Sequence, residues 1–401
     1  MKKTLLLSVI ASVAIMAGGD IAPVETAVVV VVPAQVQEVS AWNFSGTAKT
    51  YYQTSDAYGL TDLGDSASSA FTNGVQLNVD GNLGAGFGVG GQLTGLYSNT
   101  SWTGLRMSDA DGSGDNATAA FTKAYITYGI GNTNIKVGRQ ELPKSLSPFA
   151  FSEKWNVFSN TFQAATIINT DIPNTTLVGA YVDSANNYGD LSEFNDINED
   201  GVYMLTVQNK SIRNLALTGS YYFAEDMNTQ GDLSVVWGDA KYDGGAYMIA
   251  AQGGYIFNDA VDSAETTAFG AKIGAKFSSV KACLAYSTVD DGALSVQNFG
   301  TGIKTPLYTQ MILNQNQIAS DADAIVGRAS VDAFGANFAL AYGYTTDNSI
   351  VSEDKTELDL TYSRKIGKNT EIFTAYVYSN VDNNLDADTN NMLRFWGKYN
   401  F

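Results

Sequence analysis

The chain has no histidine and a single cysteine, Cys283, in 401 residues. Without histidine there is no Ser–His–Asp or Cys–His nucleophile system and no imidazole-ligated metal. One cysteine makes no internal disulfide and no Cys-x-x-Cys centre, so Cys283 reads as a small packing or lumen-facing residue. Proline is scarce. All six (Pro23, Pro33, Pro143, Pro148, Pro173 and Pro306) fall outside the alternating segments described below. That is the pattern of sheets in which nearly every backbone N–H needs a partner. Charged residues make up 16%, and the acidic excess gives a net charge of −18, which excludes nucleic acid as a partner. Glycine pairs stand at hairpin turns, not in phosphate-cradling loops. The many Asp and Glu residues specify no hydrolytic pair, so nothing marks the chain as an enzyme.

Long apolar runs are also missing once the first residues are set aside. Lys2 and Lys3, then Leu5 to Met16, then Ala17-Gly18-Gly19 have the charged, apolar and small-residue order of a secretory leader, with cleavage expected near Gly19. Residues 20–41 read as a periplasmic segment; Val28 to Val32 is apolar but short and bounded by Glu25, Pro33 and Glu38. No later run approaches the ~18–20 residues that a membrane helix requires. An exported chain of this kind enters a membrane only as a closed barrel, here over residues 42–401.

The chain is rich in glycine (39), tyrosine (22) and phenylalanine (19), arranged with a period of two. At the carboxy end Leu393, Phe395, Gly397, Tyr399 and Phe401 fall on one face, and Arg394, Trp396, Lys398 and Asn400 on the other. The length matches the roughly 9–11 residues of a tilted bilayer-crossing strand. Upstream, a two-strand unit recurs. Val75 to Leu83 turns at Gly84-Ala85-Gly86 into Phe87 to Gly95, and similar hairpins turn at Gly131-Asn132, Asn209-Lys210, Ser278-Ser279, Gly335 and Gly367-Lys368. Counting in this way predicts an all-β, transmembrane antiparallel barrel of about 18 strands, an even number as in single-chain outer-membrane barrels.

The long connections (53–70, 98–118, 141–161, 183–201, 224–234, 257–266, 290–323, 346–355 and 380–389) all fall at one end. They hold about thirty of the 41 Asp and Glu residues, which predicts an acidic mouth. The strand positions opposite the apolar face carry the other sign: Lys49, Lys123, Lys136, Lys241, Lys272, Lys276, Arg328, Arg394 and Lys398, with fewer acids, Asp80, Asp239, Glu357 and Asp359. A charge facing lipid at mid-depth costs roughly 2–4 kcal/mol, so this face implies a water-filled lumen.

The connection 141–161 breaks the pattern of polar loops. It carries Pro143, Pro148, Phe149, Phe151, Trp155 and Phe158 together with Glu141, Lys144, Glu153 and Lys154. Folded inward, it buries the aromatics and leaves the charges to line a constriction; as a surface loop it would offer an aromatic patch for subunit or adhesive contact. Arg139 joins the constriction only if a bulge or the strand's end turns it, because alternation from Ile135 and Val137 points it outward.

The run "VGRQELPKSLSPFAFSEKWNVFSNTFQAATIINTDIPNTTLVGAYV" (Val137 to Val182), the "MAGGD" junction and the closing "FWGKYNF" resemble the OprD-like outer-membrane porins, most closely the major porins of Campylobacter and its relatives. The resemblance implies an eighteen-stranded diffusion channel narrowed by its third loop, in a Gram-negative outer membrane, as a monomer or a homotrimer. It also implies that Phe395, Tyr399 and Phe401 form the aromatic signal read by the barrel-assembly machinery, with outer-membrane lipid and lipopolysaccharide as surroundings.

No cofactor is expected. Asp196, Asn198 and Asp200 before Gly201 match the first half of a calcium-binding loop, but Val207 stands where the closing bidentate Glu belongs. Asp109 to Asp115 is a second acidic cluster of this kind. The functional expectation is passive passage of small hydrophilic solutes and ions, weakly preferring cations. A substrate-specific channel for amino acids or small carboxylates, and a non-conducting adhesin or structural barrel, are the alternatives.

Overall fold

The computed structural model describes residues 42–56, 62–98, 116–186, 191, 193–227, 231–259, 265–313, 320–348, 353–382 and 387–401. The leader, the segment 20–41 and the cluster 109–115 lie outside them. Nineteen strands follow in order: β1 (Asn43–Ser55), β2 (Ser69–Gly84), β3 (Phe87–Ser98), β4 (Asn116–Ile130), β5 (Thr133–Gln140), β6 (Phe162–Asn169), β7 (Thr175–Asn186), β8 (Phe194–Asp196), β9 (Val202–Asn209), β10 (Leu215–Ala224), β11 (Leu233–Asp243), β12 (Tyr247–Asn258), β13 (Glu265–Phe277), β14 (Val280–Val289), β15 (Ala322–Ala333), β16 (Ala336–Asp347), β17 (Glu353–Ile366), β18 (Thr370–Asp382) and β19 (Ala387–Asn400). The three-residue β8 hangs on the end of β7, which also pairs directly with β9. Eighteen strands therefore form the wall, each antiparallel to its neighbours.

The wall closes on itself because β19 pairs with β1 from Thr47↔Asn400 to Ser55↔Met392. Closure leaves no sheet edge for lipid to meet, which is the condition for crossing a bilayer with strands. Eight short turns lie at one end, and positive φ at Ala85, Gly131, Asn174, Asn214, Ser278 and Gly335 makes several of them tight. One turn is held by Asp171, whose carboxylate accepts from Asn132 (3.0 Å) and Asn169 (2.6 Å); these bonds lower its pKa. The nine long connections lie at the other end.

Alternation separates the two faces. Val137, Leu205, Ile273 and Tyr342 are each more than half exposed and face outward, as a lipid-facing band requires. The buried apolar clusters lie inside the barrel, where loop side chains pack on the inner wall. Leu142, Leu146, Phe149 and Ala150 pack with Phe162, Val182, Met204, Tyr222 and Trp237. Farther along the same loop, Trp155 and Val157 pack with Tyr51, Leu96, Phe373, Met392 and Trp396. The loop 141–161 thus leaves β5, buries its first half against β6–β11 and reaches the wall at β1, β18 and β19. Full burial of side chains such as Phe149 stabilises this path by roughly 1.5–3 kcal/mol each.

Candidate functional site: a constriction of two inward loops

A second loop also folds inward over its described part, 290–313, and sequence reasoning did not place it. Leu307 joins the cluster around Phe149, Ile312 joins the one around Trp155, and Met311 packs with Val326 and Ala341. The signal was present in the run Thr305 to Leu313, where Leu307, Tyr308, Met311, Ile312 and Leu313 are too apolar for a solvated loop. Glycines on the inner wall seat both loops. A Cβ at Gly74 would strike the Phe158 ring, and one at Gly343 would strike the Met311 sulfur.

The two loops are latched to each other. Asn298 Nδ2 donates to Glu153 Oε1 and to the Phe151 carbonyl, both at 2.8 Å, and Phe151 N donates back to Asn298 Oδ1 at 3.1 Å. The Thr301 hydroxyl and the Lys304 main-chain N–H also donate to Glu153, and Phe299 N bonds the Phe149 carbonyl at 2.7 Å. Burial pushes the Glu153 carboxyl above its usual range, while the Lys304 charge pulls against that shift. From the other side, Lys144 Nζ donates to the Thr305 carbonyl (2.9 Å) and to Gln310 Oε1 (3.0 Å).

Wall cations hold the loops by their carbonyls. Lys49 Nζ donates to Asn156 O at 2.8 Å, and Arg394 Nη1 to Trp155 O at 3.0 Å. Arg328 donates to the carbonyls of Tyr308 (3.1 Å) and Gln310. Each of the three is buried, as is Lys272, whose ammonium lies 4.3 Å from the centre of the Tyr308 ring. Carboxylates of the wall take part too. Glu357 accepts from Leu313 N at 2.8 Å, and Asp239 accepts from the Tyr308 hydroxyl. Burial and the Asp239 charge raise the pKa of Tyr308. Asp359, two residues along β17 from Glu357, is equally buried.

The more hydrated lysines are matched by acids. Lys123 pairs with Glu141 and Lys398 with Glu371, each at 2.9 Å, and Lys241 pairs with Asp239 at 3.5 Å. Lys136 lies over the Tyr125 ring at 3.7 Å, and Tyr125 donates to Asp80 at 2.8 Å. Lys276 lies on the same inner face of β13, opposite Lys281, and Lys154 is half-buried on the first loop. The inner face is therefore rich in charge but largely balanced.

One site residue is placed differently from the expected lining. Arg139 pairs in register with Ala124 and Gln163 on the outward face, and no bulge turns it. Its Nε donates to Gln163 (3.3 Å), its Nη1 to the Phe121 carbonyl (2.9 Å), and its guanidinium lies over Phe194 at 4.0 Å. A bulge does occur opposite Gln92, but on β4; it turns Thr122 and Lys123 inward together. Asn198 donates its amide to the Glu225 carbonyl, while Asp196 and Asp200 are exposed. Among the described residues no group of three or more Asp, Glu or Cys side chains converges on a metal position. Phe395, Tyr399 and Phe401 lie on the outward face of the closing strand, and Phe401 exchanges two main-chain hydrogen bonds with Gly46 (2.7 and 2.9 Å).

A closed eighteen-stranded wall with an apolar outside and a charged lumen narrowed by loops defines the class as an outer-membrane channel. The chain belongs to the Gram-negative porins, whose family model matches residues 9–384. No curated protein sequence matches it. Among solved structures, the Pseudomonas aeruginosa channel OpdK, crystallised with vanillate, aligns with a TM-score of 0.74 at 14% identity over 90% of this chain and 98% of its own. Acinetobacter baumannii OccAB3 gives 0.73 at 15% identity, covering 90% of this chain and 99% of its own. Pseudomonas aeruginosa OccD3 (OpdP) gives 0.72 at 14%, covering 90% and 92%. The barrel thus has the fold of the OprD/Occ porins and lies in the outer membrane.

Proposed function

We propose that the channel passes small hydrophilic solutes and ions by diffusion, with a weak preference for cations. The balance of charge along the path carries this reading. The hydrated wall lysines Lys123, Lys241 and Lys398 each face a carboxylate, and Lys49, Arg328 and Arg394 are committed to loop carbonyls. The connections at the outer end hold the excess of acid. A mouth of net negative charge raises the local cation concentration and is screened by salt. Within this reading Glu141, Lys144, Glu153, Lys154 and Asp359 belong to the constriction, and Lys136, Lys272 and Asp239 to the lumen wall. Residues 1–19 serve as the leader and 20–41 as a periplasmic segment, and kinship with the Campylobacter porins rests on the resemblance of Val137 to Val182. Reversal potentials of the purified protein in planar bilayers under a KCl gradient test it. A potential of the cation sign is expected, and a clear chloride preference overturns it.

A second reading, a channel specific for small carboxylates, draws on the mutual latching of the two loops and on the likeness to a channel crystallised with vanillate. It predicts conductance that saturates with substrate, where a general pore gives conductance linear in salt. A barrel with no conductance at all would favour an adhesin or structural role. Single-channel records that step once or three times per insertion separate a monomer from a homotrimer.

A further inference from the structure

The outer face of β5–β10 carries a hollow of about 470 Å³ that the channel function does not use. The register sets Ile135, Ile167, Gly179 and Leu205 side by side, and above them Val137, Ala165, Tyr181 and Tyr203. Ala165 and Gly179 have too little side chain to fill the wall surface, and the larger neighbours flank the gap. The Tyr181 and Tyr203 rings, 5.2 Å apart, belong to the tyrosines that mark an aqueous boundary of the bilayer. Two residues farther along β5, about 7 Å toward the long-loop end, stands the outward-facing Arg139.

That guanidinium is fixed but not saturated. Gln163 and the Phe121 carbonyl take two of its five N–H groups, the Phe194 ring covers its plane, and no other partner occurs among the described residues. Asp183, on the same side of β7, accepts from Tyr181 (3.5 Å) and Ser184 (3.1 Å) and forms no ion pair with Arg139. A pre-oriented arginine at headgroup level fits a phosphate, which it binds with parallel N–H donors. The hollow below it faces hydrocarbon, and its apolar lining fits an acyl chain.

We propose that this surface is a binding site for one phosphorylated glycolipid of the outer leaflet, of lipid A type. Its phosphate sits on Arg139, and one acyl chain lies in the hollow over Ala165 and Gly179. The phosphate neutralises a charge that otherwise faces the membrane, and the chain fills a gap that bulk lipid would fill only transiently.

Native mass spectrometry of the mature protein in detergent, titrated with diphosphoryl lipid A, tests the assignment. Wild type is expected to retain one lipid per chain and to hold dephosphorylated lipid A at least about tenfold more weakly. Arg139→Gln should lose binding by a similar factor. Ala165→Leu should lose it with the arginine intact. Both variants should keep the heat-modifiable mobility of a folded barrel and the wild-type conductance. Millimolar inorganic phosphate should compete only partly, because it fills no hollow. Equal retention by wild type and both variants overturns the proposal. So does complete displacement by phosphate alone. So does a stable oligomer that Ala165→Leu dissociates without regard to lipid, which would seat a second copy of this chain in the hollow.

Discussion

Arg394 on the closing strand donates through Nη1 to the carbonyl of Trp155, 239 residues away, and its guanidinium lies 4.3 Å from that residue's ring centre. Its Nε holds Gln53 Oε1 at 2.6 Å. The strand that closes the barrel therefore also pins the far end of the first inward loop. Arg394→Met should remove charge-assisted bonds worth roughly 1.5–3 kcal/mol each and leave the buried Gln53 unserved. The expected result is a larger, noisier single-channel conductance and a lower temperature for loss of the folded mobility. Arg394→Lys should recover only part, because an ammonium lacks the planar fork. Wild-type conductance in the methionine variant would show that Trp155 is held by packing alone.

Glu153 gives a pH dependence with a defined sign. Burial raises its carboxyl above the ordinary value of 4.5, so the folded protein holds that proton to higher pH than the unfolded chain does. The resulting stabilisation is complete below the unfolded value and is lost as pH rises through the folded one. Thermal unfolding from pH 4 to 8 should therefore show a decline in wild type that Glu153→Gln flattens. Glu153→Ala should instead take the shared acceptor from one amide N–H of Asn298, from the Thr301 hydroxyl and from the Lys304 N–H, at roughly 1–3 kcal/mol per unsatisfied group. Its loops should loosen and its conductance rise. Parallel curves for wild type and the glutamine variant would place the titration elsewhere.

Much of the barrel was readable because period-two alternation and turn chemistry are local. The outward Arg139 follows from Ile135 and Val137 by alternation alone, and an eyelet role for it needed a bulge that the chain does not make. The inward path of 141–161 was readable from Phe149, Phe151 and Trp155, since an exposed loop does not carry them. The stretch 290–313 obeyed the same rule at Leu307, Tyr308 and Met311, but its polar flanks masked the signal. What no local pattern carries is partnership. The lumen lysines read as a free basic wall, whereas Lys49 and Arg328 reach carbonyls more than a hundred and about twenty residues away, respectively.

Gly343 is a seat for the second loop. A side chain there meets Met311 and the neighbouring Val326. Gly343→Val should displace the loop at a cost of roughly 1–3 kcal/mol from overpacking and change the conductance. Adding Met311→Ala should restore much of both, read from the same bilayer records and melting curves. Failure of the second change to rescue would mean that the strand, not the loop, absorbs the strain.

Phe401 closes the ring twice over. Its main chain pairs with Gly46, and its ring lies against Gly46 and 6.2 Å from Tyr399. Deleting it removes two of the hydrogen bonds that join the ends of the wall and exposes the seam to lipid, where an unmet backbone group costs several kcal/mol. Slow or incomplete conversion to the heat-modifiable form in vesicles and in cells is expected. Conversion at the wild-type rate would count against a part for Phe401 in assembly.

Lys398 tests the charge balance directly. It stands opposite both Lys49 and Glu371 in register and pairs with Glu371 at 2.9 Å, with about a third of its side chain exposed to the lumen. In a hydrated lumen such a pair contributes only about 0–1 kcal/mol, so Lys398→Glu should fold and assemble normally. It sets a second carboxylate beside Glu371 and should move the reversal potential toward cations. The shift should be large near 0.1 M salt, where charges act over ~10 Å, and small near 1 M, where they act over ~3 Å. Because Arg394 lies on the same face but is spent on Trp155, neutralising it should alter conductance more than selectivity. That opposite ordering of the two variants separates a lysine that faces the conducting path from an arginine that builds it.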